Sequence, residues 1–167
     1  ILMGCLVTVF NYISYHLLEA PFQLSQSWIG LISIAYLAGI YSSSKAAQWS
    51  FKYGRAKVLP LMLLMMMAGL LITLIPALWA ILLGLIIFAF AFFAAHSTAS
   101  SWVSVQAIQY RAVAASLYLF CYYIGSSLLG SSGGLIWENF GWIGINLSVV
   151  LVLAVGLFLT FYLHDTK

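Results

Sequence analysis

Two stretches of this chain, 61–72 and 149–159, contain no polar side chain at all. A transmembrane strand alternates apolar and polar residues over about ten positions, so unbroken runs of this length belong to helices. A helix that is apolar on every side needs an apolar surrounding. Composition points the same way: of 167 residues, 65% are hydrophobic and 5% are charged. A soluble domain carries about 25% charged residues, and six Lys/Arg with three Asp/Glu cannot coat a globule of this size. A soluble enzyme, a nucleic-acid-binding protein and a disordered chain are excluded. The fold class expected is an all-α membrane protein seated in a lipid bilayer.

A span needs about 20 mainly apolar residues. Punctuation by polar, charged, Pro and Gly residues predicts six: 1–18, 28–48, 58–75, 78–103, 112–137 and 141–163. The connections are short, so sequence neighbours are expected to pack antiparallel. Trp28, Trp49, Trp79, Trp102, Trp137 and Trp142 all fall near predicted ends, where an indole prefers the membrane interface. Lys45, Lys52, Arg55 and Lys57 surround the second connection, Arg111 lies in the fourth and Lys167 in the tail. Those places share one side of the membrane. Glu19 and Glu138 lie on the other side, whose connections hold no Lys or Arg. The positive-inside rule therefore predicts both termini in the cytoplasm. Ile1 opens the chain inside a hydrophobic run, with no basic region or cleavage site before it, so the expectation is a fragment of a longer chain and not a signal peptide.

The six segments differ in polarity. The third carries only Thr73, and the sixth carries Asn146, Ser148 and Thr160, so both are expected to lean into lipid, with Met62, Met65, Met66 and Met67 as a lipid-facing run. The other four carry stripes at helical spacing: Thr8, Asn11 and Tyr15, with Tyr12 and His16 beside them; Ser33, Tyr36, Ile40 and Ser43; Phe88, Phe92 and His96; Tyr118, Tyr122 and Ser126. Polar groups at membrane depth face protein or a water-filled cavity. The order polar, polar, apolar thus occurs twice, as two inverted three-helix repeats would give. Inverted repeats around a midplane site build many secondary transporters.

Local motifs add a resemblance. Lys52-Tyr53-Gly54-Arg55 resembles the Asp-Arg/Lys-x-Gly-Arg/Lys loop signature of major facilitator transporters. Lys52, Gly54 and Arg55 match it, whereas Phe51 stands where the family has an acid; a plain basic cytoplasmic turn is the other reading. Gly125, Gly130, Gly133 and Gly134 in the fifth segment resemble the symmetry-related copy of the Gly-rich motif of facilitator-type drug exporters, and equally suit close helix packing. The runs 94–102, 115–120 and 122–127 look like the second half of bacterial inner-membrane members of that superfamily. The resemblance implies a C-terminal six-helix half, a missing N-terminal half or a second copy as partner, and a small-molecule substrate such as a drug or sugar. It also implies proton-coupled efflux from the bacterial inner membrane by alternating access.

The candidate substrate-cavity residues are Asn11, Tyr12, Tyr15, Tyr36, Phe92, His96, Tyr118 and Tyr122, with His96 the proton-coupling candidate. Tyrosines present an apolar body with a polar tip, which suits a cavity wall or a satisfied core position alike. A membrane-embedded His serves as relay, as ligand or as a hydrogen-bonded packing residue. Intramembrane proteolysis lacks its residues: Asp165 is the only aspartate, no His-Glu-x-x-His occurs, and Ser100 and Ser101 follow Ala99 where a Gly-x-Ser would be needed. With Cys5 and Cys121 as the only cysteines, neither a cofactor nor a metal site is expected. A six-helix scaffold or channel that acts without a second half is the alternative function.

Overall fold

The computed structural model describes residues 1–162. The end of the sixth predicted segment at Leu163, together with Asp165 and Lys167, lies outside the described residues. All regular structure among them is helical: α1 (Leu2–Leu18), α2 (Gln26–Gly30), a 3-10 turn (Leu31–Ile34), α3 (Ala35–Tyr53), α4 (Arg55–Ile72), α5 (Leu78–Gln106), a second 3-10 turn (Ile108–Tyr110) and α6 (Arg111–Thr160). Apolar helices of this length make it a membrane protein; α4, α5 and the stretch Ile108–Thr160 are long and apolar enough to cross a bilayer. α1 is a little shorter, and α3 carries Lys45, Lys52 and a run of serines.

Five long helices therefore stand where six were expected, because α6 has 50 residues. Straight, it would reach about 75 Å at about 1.5 Å per residue, far beyond about 30 Å of hydrocarbon. It breaks at Gly141, whose φ of 55° and ψ of −148° are open to glycine and strained for other residues. The two arms fold back on each other from there: Gly125 on the first and Gly156 on the second both approach Ile1. No loop separates the arms, so the predicted connection 138–140 is helical.

The second predicted segment also differs. Its first part is α2 and a 3-10 turn, and the change of pitch before Ala35 rotates the stripe, leaving Ser33 and Ile40 exposed and Tyr36 half-buried. The expected loop 49–57 shrinks to one residue. Gly54, at φ 85° and ψ 140°, closes α3 with its N–H on the Ser50 carbonyl and opens α4 with its own carbonyl accepting from Val58. Only the glycine of the Lys-Tyr-Gly-Arg run adopts that backbone without strain.

The most extensive pairings are α1 with α6, α4 with α5 and α3 with α5. Lipid tails are as apolar as leucine, so close van der Waals fit holds such helices together. Glycines supply it. A methyl on Gly84 would sit 2.5 Å from the Gly69 carbonyl oxygen, so α4 and α5 touch backbone to backbone. Phe93 of α5 lies over Gly39 of α3, and Tyr12 of α1 lies over Gly133 of α6.

The methionine run is not purely lipid-facing. Met62 and Met66 are buried against α5, while Met65 and Met67 are half-buried. A helix apolar on all sides carries no stripe to mark its inner face, and the Gly69–Gly84 crossing selects one. The indoles divide similarly. Trp28 and Trp79 are exposed, Trp49 and Trp137 are half-buried, and Trp102 and Trp142 are buried.

Candidate functional site

The connections after α1 and α4 and the break in α6 at Gly141 meet at one end of the bundle. Glu19, Pro21, Leu74, Pro76, Phe140 and Gly141 line a single cavity there of about 300 Å³. His16 stacks on Trp142 nearby, with ring centres 5.4 Å apart and planes 11° from parallel. At the other end, Ala46 of α3, Val58 and Leu59 of α4, and Ala95 and Trp102 of α5 form a second core beside Gly54. The Lys52, Gly54 and Arg55 motif belongs to this end. Lys52 holds its ammonium 5.0 Å from the Tyr53 ring centre, and the buried Arg55 Nε has no hydrogen-bond partner among the described residues.

The structure divides the eight candidate residues between two clusters and a bridge. The first cluster lies between α5 and the first arm of α6. His96 Nδ1 and the Tyr118 hydroxyl are 2.9 Å apart, a hydrogen bond whose donor depends on the imidazole tautomer. The Tyr122 ring centre is 4.7 Å from that of His96, and Phe92 lies parallel to the imidazole at 6.1 Å. Positions 92 and 96, like 118 and 122, are one helical turn apart, so two short stripes on neighbouring helices suffice to build the cluster. Phe92 is fully buried, which makes it the floor under the imidazole and not a cavity wall. His96, Tyr118 and Tyr122 are half-buried. An imidazole hydrogen-bonded to a phenol can accept a proton on one nitrogen while releasing one from the other, the elementary act of a relay.

The second cluster lies near the opposite end, between α1 and α6. Tyr12, Tyr15 and Trp137 form a triangle of rings with centres 6.0–6.1 Å apart. The Tyr12 hydroxyl donates to the Gly130 carbonyl at 3.2 Å, and Gly133 lies beneath its ring. With Asn11, Gln26 and Glu138, these rings border a cavity of about 710 Å³. Tyr36 bridges the clusters, with Phe10 at 4.7 Å and Phe93 at 5.8 Å, and Phe93 in turn meets Phe92 at 5.1 Å. All four motif glycines face α1: Gly125 approaches Ile1, Gly130 approaches Val7, and Gly133 and Gly134 approach Tyr12. Thr8, placed in the same stripe as Asn11, is sealed between α1 and α6 instead.

Several polar contacts escape a stripe-based reading. Ser42 Oγ donates to the Phe90 carbonyl at 2.7 Å, and Ser50 and Thr98 lie within 3.3 Å, each joining α3 to α5. Thr73, Trp142 and Asn146 form a buried knot between α4 and the second arm of α6. Ser42 is one of three consecutive serines and Ser50 lies two positions before Lys52, so nothing in the sequence singles either out as the member that meets α5. Among the described residues, no three His, Cys, Asp or Glu side chains come close enough to share a metal ion.

Comparison with known proteins decides the family. The chain is 42% identical over 163 residues to the MFS-type transporter YybF of Bacillus subtilis, covering 98% of this chain and 40% of that protein. It is 46% identical over 164 residues to the inner membrane transport protein YnfM of Escherichia coli, covering 98% of this chain and 39% of the relative. The chain belongs to the major facilitator superfamily. A transporter of Buchnera aphidicola subsp. Schizaphis graminum is 47% identical over 95% of this chain and 38% of its own length. The facilitator chain thus spans about 40% of the length of the curated relatives it matches. No family model matches it, and no solved structure does.

Proposed function

We propose that this chain is the C-terminal half of a secondary transporter that exports a small molecule such as a drug or sugar in exchange for protons. The single observation that carries the reading is its likeness, over 98% of its length, to proteins named as transporters. The helix packing agrees with two inverted repeats, α1–α3–α4 and α5 with the two arms of α6. The first helix of each repeat pairs with the second helix of the other, α1 with α6 and α3 with α5. An aromatic ring of each first helix rests on a glycine of its partner, Tyr12 on Gly133 and Phe93 on Gly39. Counting the arms of α6 separately gives six long helices, and in this reading each is a span and the charge bias favours both termini in the cytoplasm of a bacterial inner membrane.

In this reading the face made by α1, α3, α5 and the first arm of α6 meets another six-helix half, or a second copy of this chain, and substrate sits between them. His96 and Tyr118 carry the coupling proton, Tyr36 and Tyr122 border its path, and Asn11, Tyr12 and Tyr15 contact substrate. Lys52, Gly54 and Arg55 form a cytoplasmic turn that gates the closed state. Everted vesicles from cells with and without the full-length protein test the reading. Under an imposed proton gradient, flux of at least one solute in a broad panel is expected to differ between them. Identical fluxes for every solute contradict it.

A further inference from the structure

We infer that a groove at the Lys-rich end of the bundle binds one anionic phospholipid, with its phosphate at Lys57 and Lys52 and an acyl chain along the groove. The inference goes beyond the transport reading and needs only that the helices lie in a bilayer. The groove, of about 420 Å³, runs between Trp49 and Tyr53 of α3, Phe90 of α5, and Lys57 and Leu61 of α4. Buried Val58 and Met62 form its floor. Its lining is graded in polarity. α3 ends at Tyr53 and α4 starts at Arg55, so Tyr53 and Lys57 stand at the mouth, and Trp49 and Leu61 lie about 5.4 Å deeper, one helical turn inward. Lys57 is exposed and is the only charged residue in the lining. Lys52 adds a second ammonium at the rim, 5.0 Å from the Tyr53 ring centre. Tyr and Trp follow, as at the level of lipid headgroups, and only apolar side chains lie beyond them. A phospholipid has the same order of charge, interface and hydrocarbon. Tyr53 and Leu61 are each 53% exposed, so the groove opens sideways and a chain enters it from the bilayer.

Charge decides the class of lipid. Lys52, Arg55 and Lys57 lie close together in sequence, and Phe51 stands where an acid would neutralise them. Among the described residues the only acids are Glu19 and Glu138, both at the other end of the bundle. The lysines therefore lack a carboxylate partner, and a phosphodiester supplies the missing charge. Basic pockets between transmembrane helices hold anionic headgroups in this way. A second apolar groove offers a contrast. Trp28, Ile32, Leu78 and Leu82 border about 460 Å³ at the opposite end, with no charged residue in the lining. That surface accepts a chain but gives no preference for an anion.

The test is native mass spectrometry of the full-length protein, released from nanodiscs of equal phosphatidylglycerol and phosphatidylcholine with identical chains. One phosphatidylglycerol is expected to stay bound, in clear excess over phosphatidylcholine. Lys57→Gln is expected to weaken its retention about fivefold, or about 1 kcal/mol, and Lys57→Arg to keep it. Leu61→Trp fills the groove and is expected to displace the lipid, whereas Leu82→Trp, in the uncharged groove, leaves it in place. Equal retention of the two lipids overturns the inference, as does unchanged retention in Lys57→Gln or an equal loss in the two Trp variants. Retention of no lipid, the result if the rest of the protein covers the groove, also overturns it. Displacement by free glycerol 3-phosphate does the same, since the headgroup alone would then suffice. Proton-driven flux on the same preparation keeps the two claims apart. Selective lipid retention without any flux keeps the groove site and removes the transporter, and flux without lipid selectivity does the reverse.

Discussion

The Thr73–Trp142–Asn146 knot and the His96–Tyr118–Tyr122 cluster both join helices through polar side chains, and they differ in enclosure. In the knot every member is buried: Asn146 is 0% exposed, Thr73 2% and Trp142 5%. Its strong bonds close on backbone, with the Thr73 hydroxyl donating to the Leu70 carbonyl at 2.6 Å, Trp142 Nε1 to the Thr73 carbonyl at 3.3 Å and Asn146 Nδ2 to the Trp142 carbonyl at 3.2 Å. The His96 cluster bonds side chain to side chain and stays half-buried. A polar group tied to backbone in a sealed site has one arrangement and no route for a proton. A side-chain pair with open edges has alternatives. The contrast separates polar residues that fasten this bundle from those free to act in it, a distinction that hydropathy alone does not make.

Substitutions at the two kinds of site are expected to fall in order of their effect on thermal stability of the full-length protein in detergent. The largest belongs to Gly84→Val on the sealed side, where the new side chain meets the Gly69 carbonyl and drives α4 from α5. Overpacking of this kind costs up to about 3 kcal/mol, seen as a lowered Tm and yield; an unchanged Tm would mean that the crossing is looser than described. Asn146→Leu comes next. It keeps the volume and removes the oxygen that accepts from the Thr73 hydroxyl across the α4–α6 contact at 3.5 Å, so the expected loss is about 1 kcal/mol, since interhelical polar contacts in membranes are worth about that much. Its transport per folded molecule is expected to stay at the parental level, and a selective loss of flux would move the knot into the functional group. His96→Gln is the smallest, with less than about 0.5 kcal/mol lost, because a part-exposed pair contributes little to stability.

Much of the architecture was legible because lipid imposes a simple requirement on sequence. α1 was expected at 1–18 and runs Leu2–Leu18, and α5 was expected from residue 78 and starts there. Each begins or ends beside a Pro, Gly or charged residue that a helix in hydrocarbon does not carry at depth. Less legible were features set by tertiary contact. The 3-10 turn Leu31–Ile34 follows Gly30 and precedes no proline, so its pitch change left no mark beyond one glycine. The inner faces of Met62 and Met66 depend on which side of an all-apolar helix meets Gly84. Within the site, stripes one turn apart identified His96, Phe92, Tyr118 and Tyr122, which converge, but gave no means of separating Phe92 as floor from Tyr118 as partner. That difference arises from the crossing of two helices, and a single helix's periodicity carries no information about it.

We propose that the open polar cluster, and not the sealed one, moves the coupling proton. Flux through the full-length protein in proteoliposomes, measured for parent and His96→Gln across a range of imposed pH gradients, addresses it directly. Glutamine keeps a comparable size and the means to hydrogen-bond Tyr118, but it does not titrate. The expected result is that flux driven by the gradient collapses while substrate binding and Tm are retained. Gradient-driven flux that persists at the parental level in His96→Gln would contradict the claim and assign His96 to packing alone.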